Sequence, residues 1–259
     1  MAYLKYNKLN HLLTKWPSGT VYTSAWLRRR GFSTALLSQY RSSKWILSIG
    51  RGADIRPGEK VAWTGGLYAI QEQFSMAVHA GGKTALQFHG YAHFLPMGQT
   101  SVAMVFSSPK IRLPEWFLRH DFHIKIIHVA TKIFLGQDDL GLTKKELGSY
   151  SIKISSPERA IMEVLHLVPN KESYEESKLL MEGLITLRPA LIQKLLENCR
   201  SIKVKRLFMH LAQACNLPWV KKINLDNIDF GKGKRVLCKG GYFDSKYKIS
   251  VPGKRIIEG

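Results

Sequence analysis

Apolar residues recur along the first sixty positions with two different periods. Leu9, Leu12, Leu13 and Trp16 fall at helical spacing, which predicts a helix over residues 7–16, stopped by Pro17, Ser18 and Gly19. Val21 and Tyr22 suit a short strand. Thr23 or Ser24 offers a cap for a second helix over 25–30, with Gly31 just past its end. Ser33 and Thr34 are a further cap pair and open a helix running to about Ser43. Its apolar face is Leu36, Leu37 and Tyr40; its other face carries Ser38, Gln39, Arg41, Ser42 and Lys44. Trp45, Leu47 and Ile49 then alternate as in a strand. Gly50-Arg51-Gly52 supplies a turn with a cation at its tip, and the stretch to Gly58 predicts a β-hairpin.

Beyond this point the two periods alternate again. Gly81-Gly82 and Thr84–Phe88 read as a helix start, and residues 101–106, 123–134 and 151–154 as strands rich in β-branched residues. Ser156 and Pro157 mark a helix N-terminus whose stripe is Ala160, Ile161, Val164, Leu165 and Val168. Further helices are predicted over 174–185, 189–198 and 204–214. The basic, glycine-interleaved stretch 232–255 reads as a hairpin or loose extension. The expected fold class is α+β: an N-terminal winged helix-turn-helix with accessory helices over residues 1–95, then a mixed, helix-rich domain over 96–259.

Charge sharpens this picture. Lys and Arg number 39 against 19 Asp and Glu, for a net charge of +20. Residues 1–90 hold 12 cations and 3 acids, residues 91–199 hold 13 and 12, and residues 200–259 hold 14 and 4. A surplus of this size is the electrostatic footprint of a nucleic-acid binder. Two short helices joined by a glycine turn form a helix-turn-helix whose second helix enters the major groove. Ser33, Thr34, Ser38, Gln39 and Arg41 are the candidate base readers, with Ser42 a further candidate DNA contact; Gln and Arg suit bidentate contact with base edges. Arg28, Arg29, Arg30, Lys44 and Arg51 are candidate phosphate contacts, with Arg56 also able to reach from the hairpin. Lys203, Lys205 and Arg206 form a compact second cluster, read as a further contact to the DNA backbone. No apolar run approaches the roughly 20 residues of a bilayer span. Three cysteines without a CxxC pair suit a reducing compartment. A cytoplasmic, nucleoid-associated protein is expected.

Catalytic signals are weak. His79 to Thr84 resembles the end of a phosphate loop, but that motif needs glycine where Ala77 stands. His89, His93, His120, His123 and His128 lack the converging ligands of a metal site. Asp121 with Lys125, and Asp138 and Asp139 with Lys144, suggest the alternative of a Mg-dependent nuclease that uses the winged helix for targeting; loop and capping roles suit these acids better. No enzyme activity, cofactor or metal is expected.

Four runs carry a resemblance to a known family: PSGTVYTSAWLRRRGFSTALLSQYRSSKWILSIGRGADIRPG, VAWTGGLYAIQEQFSMAVHAGGKTALQFHGYAHFL, SSPERAIMEVLHLVP, and YEESKLLMEGLITLRPALIQKLLENCRSIKVKRLFMHLAQ. The chain is similar to AbiEi proteins, antitoxins and autoregulators of abortive-infection, type IV toxin–antitoxin systems that defend bacteria against phage. The resemblance implies a repressor that binds inverted repeats in its own promoter. It also implies a nucleotidyltransferase-like toxin as functional partner, countered through the C-terminal domain and without a tight direct complex. The chain departs from the family where the wing often continues GRGAY: here Asp54 follows Ala53. An acid close to phosphate is unfavourable, so the wing is expected to make fewer DNA contacts.

Overall fold

The structure, a computed structural model, describes residues 2–91, 102–134 and 136–253, with side chains from Lys8 onward. The chain opens with α1 (Ala2–Lys15), β1 (Tyr22–Thr23), α2 (Ser24–Arg29), α3 (Thr34–Ser42), β2 (Leu47–Gly50) and β3 (Ala53–Ile55). The strands form an antiparallel sheet in the order β1-β3-β2. This is the element order of a winged helix. Leu9, Leu12, Trp16, Leu27, Leu37, Tyr40 and Ile46 fill the core between helices and sheet. Trp16 stacks on Tyr22 at 4.2 Å between ring centroids, which locks α1 against the start of β1.

A second body follows: α4 (Trp63–Gln73), β4 (Val78–Ala80), α5 (Gly82–Phe88), β5 (Val102–Ser107), α6 (Glu115–Arg119), β6 (Lys125–Ala130), β7 (Leu142–Glu146) and β8 (Ser151–Ser155). Their strands make a mixed sheet in the order β6-β5-β4-β8-β7. Helices α7 (Pro157–Leu167), α8 (Tyr174–Glu182), α9 (Pro189–Asn198) and α10 (Ile202–Ala214) share a core that includes Ile161, Leu165, Leu195 and Phe208. The tail adds two 3₁₀ turns and a small sheet of β9 (Arg235–Val236), β10 (Tyr242–Asp244) and β11 (Ile249–Val251), ordered β10-β11-β9. The fold is α+β, with the winged helix-turn-helix at the N-terminus.

The mixed sheet straddles the expected boundary at residue 95. Strand β4 precedes that point, yet it pairs with β5 on one side and β8 on the other. Helix α4 ties the two bodies through a pair of buried glutamines. Gln73 acts on the winged helix: its Oε1 accepts from Thr23 N at 2.8 Å and its Nε2 donates to Val21 O at 2.6 Å. Gln71 does the same for the mixed sheet, accepting from Lys153 N and donating to Val78 O and Lys153 O. At two points the backbones meet so closely that only glycine fits. A Cβ on Gly65 would lie 1.9 Å from Gly19 O, and one on Gly50 would lie 2.8 Å from Trp116 Cβ. The wing strand β2 therefore rests directly on α6.

The structure differs from the sequence reading at several elements, three of them for a clear physical reason. Helix α8 ends at Glu182, and Ile185, expected in it, stands 57% exposed in the following turn. Strand β7 reads LTKKE; its half-exposed edge position lets it form without an apolar pattern. Helix α4 is buried on nearly all sides, so no amphipathic stripe announced it.

Candidate nucleic-acid interface

The turn between α2 and α3 is built by local hydrogen bonds. Thr23 caps α2 by accepting from Trp26 N, and Ser33 caps α3 by accepting from Leu36 N. Gly31 takes φ +84° between them, a left-handed conformation that costs glycine little. Leu27 and Leu37 are fully buried beneath the turn. Helix α3 buries Leu37 and Tyr40 and leaves Ser33, Thr34, Ser38, Gln39 and Ser42 exposed. The Ser42 hydroxyl donates back to the carbonyls of Ser38 and Gln39. Lys44 ends the helix at φ +57°, where Trp45 N returns to Tyr40 O.

The cations differ in what they are free to do. Arg28 and Arg51 are exposed, Arg51 at the wing tip. Arg30 lies over the Trp26 ring at 3.8 Å, and Arg29 donates to Gln73 O at 2.5 Å. Arg56 faces Glu59 at 3.5 Å.

Arg41 departs from its expected role. Its Nε and Nη2 each donate at 2.7 Å to the two carboxylate oxygens of Asp54, and Nη2 also reaches Ser24 Oγ. The bonds to Asp54 raise the Arg41 pKa, outweighing burial. A guanidinium folded into such a fork is a clamp between α3 and β3, so Arg41 is corrected from base reader to positioning residue. Asp54 is also corrected. It is fully buried and its charge is matched by Arg41, so it does not present an acid to phosphate.

The second cluster is corrected as well. Lys205 and Arg206 are buried, at 4% and 1% exposure. Lys203 Nζ donates to the carbonyls of His166 and Val168, and Lys205 Nζ to Asp229 O. Arg206 donates to Phe230 O, Gly231 O, Gly233 O and Lys248 O. Helix α10 is covered on both faces, so its buried cations are satisfied by donating to backbone carbonyls. Lys203 ties α10 to the end of α7, and Lys205 and Arg206 secure the tail, so the three do not form a phosphate-binding surface.

The residues weighed for catalysis are dispersed or structurally engaged. Lys83 pairs with Glu172 and Glu176; burial lowers its pKa, but these bonds outweigh it and leave it raised. His89 contacts Ser155 O, His120 packs edge-on to Phe122, His128 meets Ser107 Oγ at 2.8 Å, and His123 lies exposed beside Asp121; His93 lies outside the described residues. Asp139 pairs with Lys153, which stands opposite Lys144 in the sheet register. Among the described residues no group of three His, Cys, Asp or Glu could hold a metal. Glu163 forms the most heavily bonded buried carboxylate site. It accepts from Arg159 Nε at 2.9 Å, Ser155 Oγ at 2.8 Å and Gly82 N at 3.0 Å, and it meets His79 Nε2 at 2.7 Å. Burial alone would raise its pKa; these partners hold it down at about 2. No helix among the described residues is long and apolar enough to cross a membrane.

Sequence reasoning did not find Gln73 and Trp116, which touch the winged helix, or Gln71, which fixes α4 to the mixed sheet. Gln71 and Gln73 leave one hint, a polar end to a largely apolar segment; Trp116 leaves none.

Comparison with known proteins bears on the whole chain. A search of curated proteins returns no match. The Rv2827c protein from Mycobacterium tuberculosis has a similar crystal structure, with a TM-score of 0.60 and 14% identity over 93% of this chain and 88% of that one. This likeness is one of fold. Residues 5–97 match a family model described as the N-terminal domain of the AbiEi antitoxin transcriptional regulator. Residues 100–252 match one described as a transcriptional regulator, the AbiEi antitoxin of a type IV toxin–antitoxin system. With both halves matched, the chain belongs to the AbiEi family of antitoxins, transcriptional regulators of type IV toxin–antitoxin systems.

Proposed function

We propose that this regulator represses its own operon by binding inverted repeats in the promoter, with α3 in the major groove of one half-site. One observation carries the reading: α3 hides Leu37 and Tyr40 and turns Thr34, Ser38, Gln39 and Ser42 to solvent. Gln39 and Ser38 read base edges. Arg28, Lys44 and Arg51 hold phosphates around them, and each such contact adds about 0.9 to the negative slope of log affinity against log salt. Arg41 fixes the tilt of α3 from behind. The chain acts without turnover at the nucleoid. It counters a nucleotidyltransferase-like toxin without forming a tight complex with it.

The test is a gel-shift titration against the chain's own promoter at two salt concentrations. Gln39→Ala should weaken operator binding by about 1–3 kcal/mol and relax specificity. Unaltered selectivity in Gln39→Ala and Ser38→Ala would show that α3 is not the reading helix. Co-purification of the toxin with the chain would overturn the expectation of a loose partnership. Mg-dependent cleavage of labelled DNA or RNA would overturn the non-enzymatic reading.

A further inference from the structure

The tail sheet presents a face that the operator reading does not use. In its register Phe243 stands opposite Ser250, and Ser250 opposite Val236. These three residues form one cross-strand row. The alternate row, with Ile249 and Val251, is buried in the C-terminal core. Phe243 is 36% exposed and Val236 63% exposed. Residues 231–250 hold six Lys or Arg and one carboxylate, Asp244. Asp244 is turned toward His210 at 2.6 Å, while all six cations are exposed. The Lys234 ammonium lies 5.2 Å over the Phe243 ring.

We infer that this outer face, Phe243 and Val236 framed by Lys234 and Lys248, binds single-stranded nucleic acid. The cations call for a polyanion. The exposed ring calls for a flat partner, and unpaired bases offer one on the same molecule. A duplex does not, because its base faces are already stacked. Neighbouring strands lie about 4.8 Å apart, so the row has room for two or three nucleotides. The surface is preorganised: Arg206 anchors the carbonyls of Phe230, Gly231, Gly233 and Lys248 from beneath, which limits the ordering cost of binding.

The experiment uses the full chain and a fluorescein-labelled uridine 15-mer, followed by anisotropy across a salt series. Competitors are the same RNA paired with its complement and vesicles rich in anionic lipid. Phe243→Ala should weaken binding roughly tenfold, the scale of one base stacked on an aromatic ring. Phe243→Leu, which keeps the apolar bulk, should lose nearly as much, and Phe243→Trp should retain affinity. Lys234→Ala with Lys248→Ala should flatten the salt slope by about 1.4, or 0.7 for each lost single-strand phosphate contact. Gln39→Ala should leave all of this unchanged, which separates the tail from the operator site. The inference is overturned if Phe243→Ala and Phe243→Leu both bind within twofold of the parent. It is equally overturned if the duplex or the vesicles compete as well as the single strand.

Discussion

Replacing Arg41 separates two physical roles, because a clamp and a base reader fail in different assays. Asp54 has no exposure, and its nearest donors are Nε and Nη2 of Arg41, both at 2.7 Å, with Ser24 Oγ at 3.4 Å. Arg41→Ala leaves a buried carboxylate with only that weak hydroxyl contact. Removing one partner of a buried ion pair costs about 3–5 kcal/mol. The Arg41 side chain is 31% exposed, so water recovers part of this and the expected loss is about 2–4 kcal/mol. For a chain of this length each kcal/mol moves the melting temperature by about 2–4 °C, giving a drop of about 5–15 °C. Replacing both partners, Arg41→Met with Asp54→Leu, removes the charge and the need for it together. The double variant should recover most of the loss, and urea titrations of the parent, Arg41→Met, Asp54→Leu and the double variant close the cycle. The reasoning is refuted if Arg41→Ala melts within 1 °C of the parent while losing operator selectivity, since that is the behaviour of a reader.

Four further outcomes follow from the same geometry. Lys44→Gly should raise stability by about 0.5–1 kcal/mol by relieving the left-handed backbone at φ +57°. It should also flatten the operator salt slope by about 0.9, so calorimetry and gel shifts should move in opposite directions. Glu163→Gln should cost about 3–5 kcal/mol at neutral pH by leaving Arg159 buried and unpaired. In the parent, Glu163 and Glu158 are both held at about 2, against an ordinary 4.5, and burial pulls the His79 pKa below 6.5. Each unfolded group therefore takes up protons before its folded counterpart. Stability should be level above about pH 6.5, decline below it, and fall faster from about 4.5 toward 2, as melts across that range would record. Arg206→Ala should free the carbonyls that hold the tail, so trypsin should cut after Lys232, Lys234 and Arg235 many times faster than in the parent.

What the sequence disclosed, and what it hid, divides along a physical line. Elements whose signals are local were legible. Thr23 and Ser33 cap helices through atoms three residues away, Gly31 reports its own backbone, and Pro157 opens α7. The face of α3 followed from Leu37 and Tyr40 alone. Long-range partnership was not legible. Nothing near Arg41 in the chain indicates that Asp54, thirteen residues on, is buried against it. The departure of Asp54 from the family's wing pattern marked the position but not the reason. Lys203, Lys205 and Arg206 read as a surface because cations usually are one; the carbonyls of His166 and Val168 for Lys203, and those of the tail for Lys205 and Arg206, explain why they are not.

The contact of Gly50 with Trp116 and the two glutamine bridges of α4 limit how the gene can be divided. The two family matches meet at about residue 98, which looks like a seam. A cut there would strip β4 of both neighbours and take away the tryptophan on which the wing rests. The winged helix is therefore not a cassette that recombination can lift onto another body intact. On the proposed reading, a change of operator preference arises on the exposed side of α3, residue by residue, while the surfaces beneath stay matched.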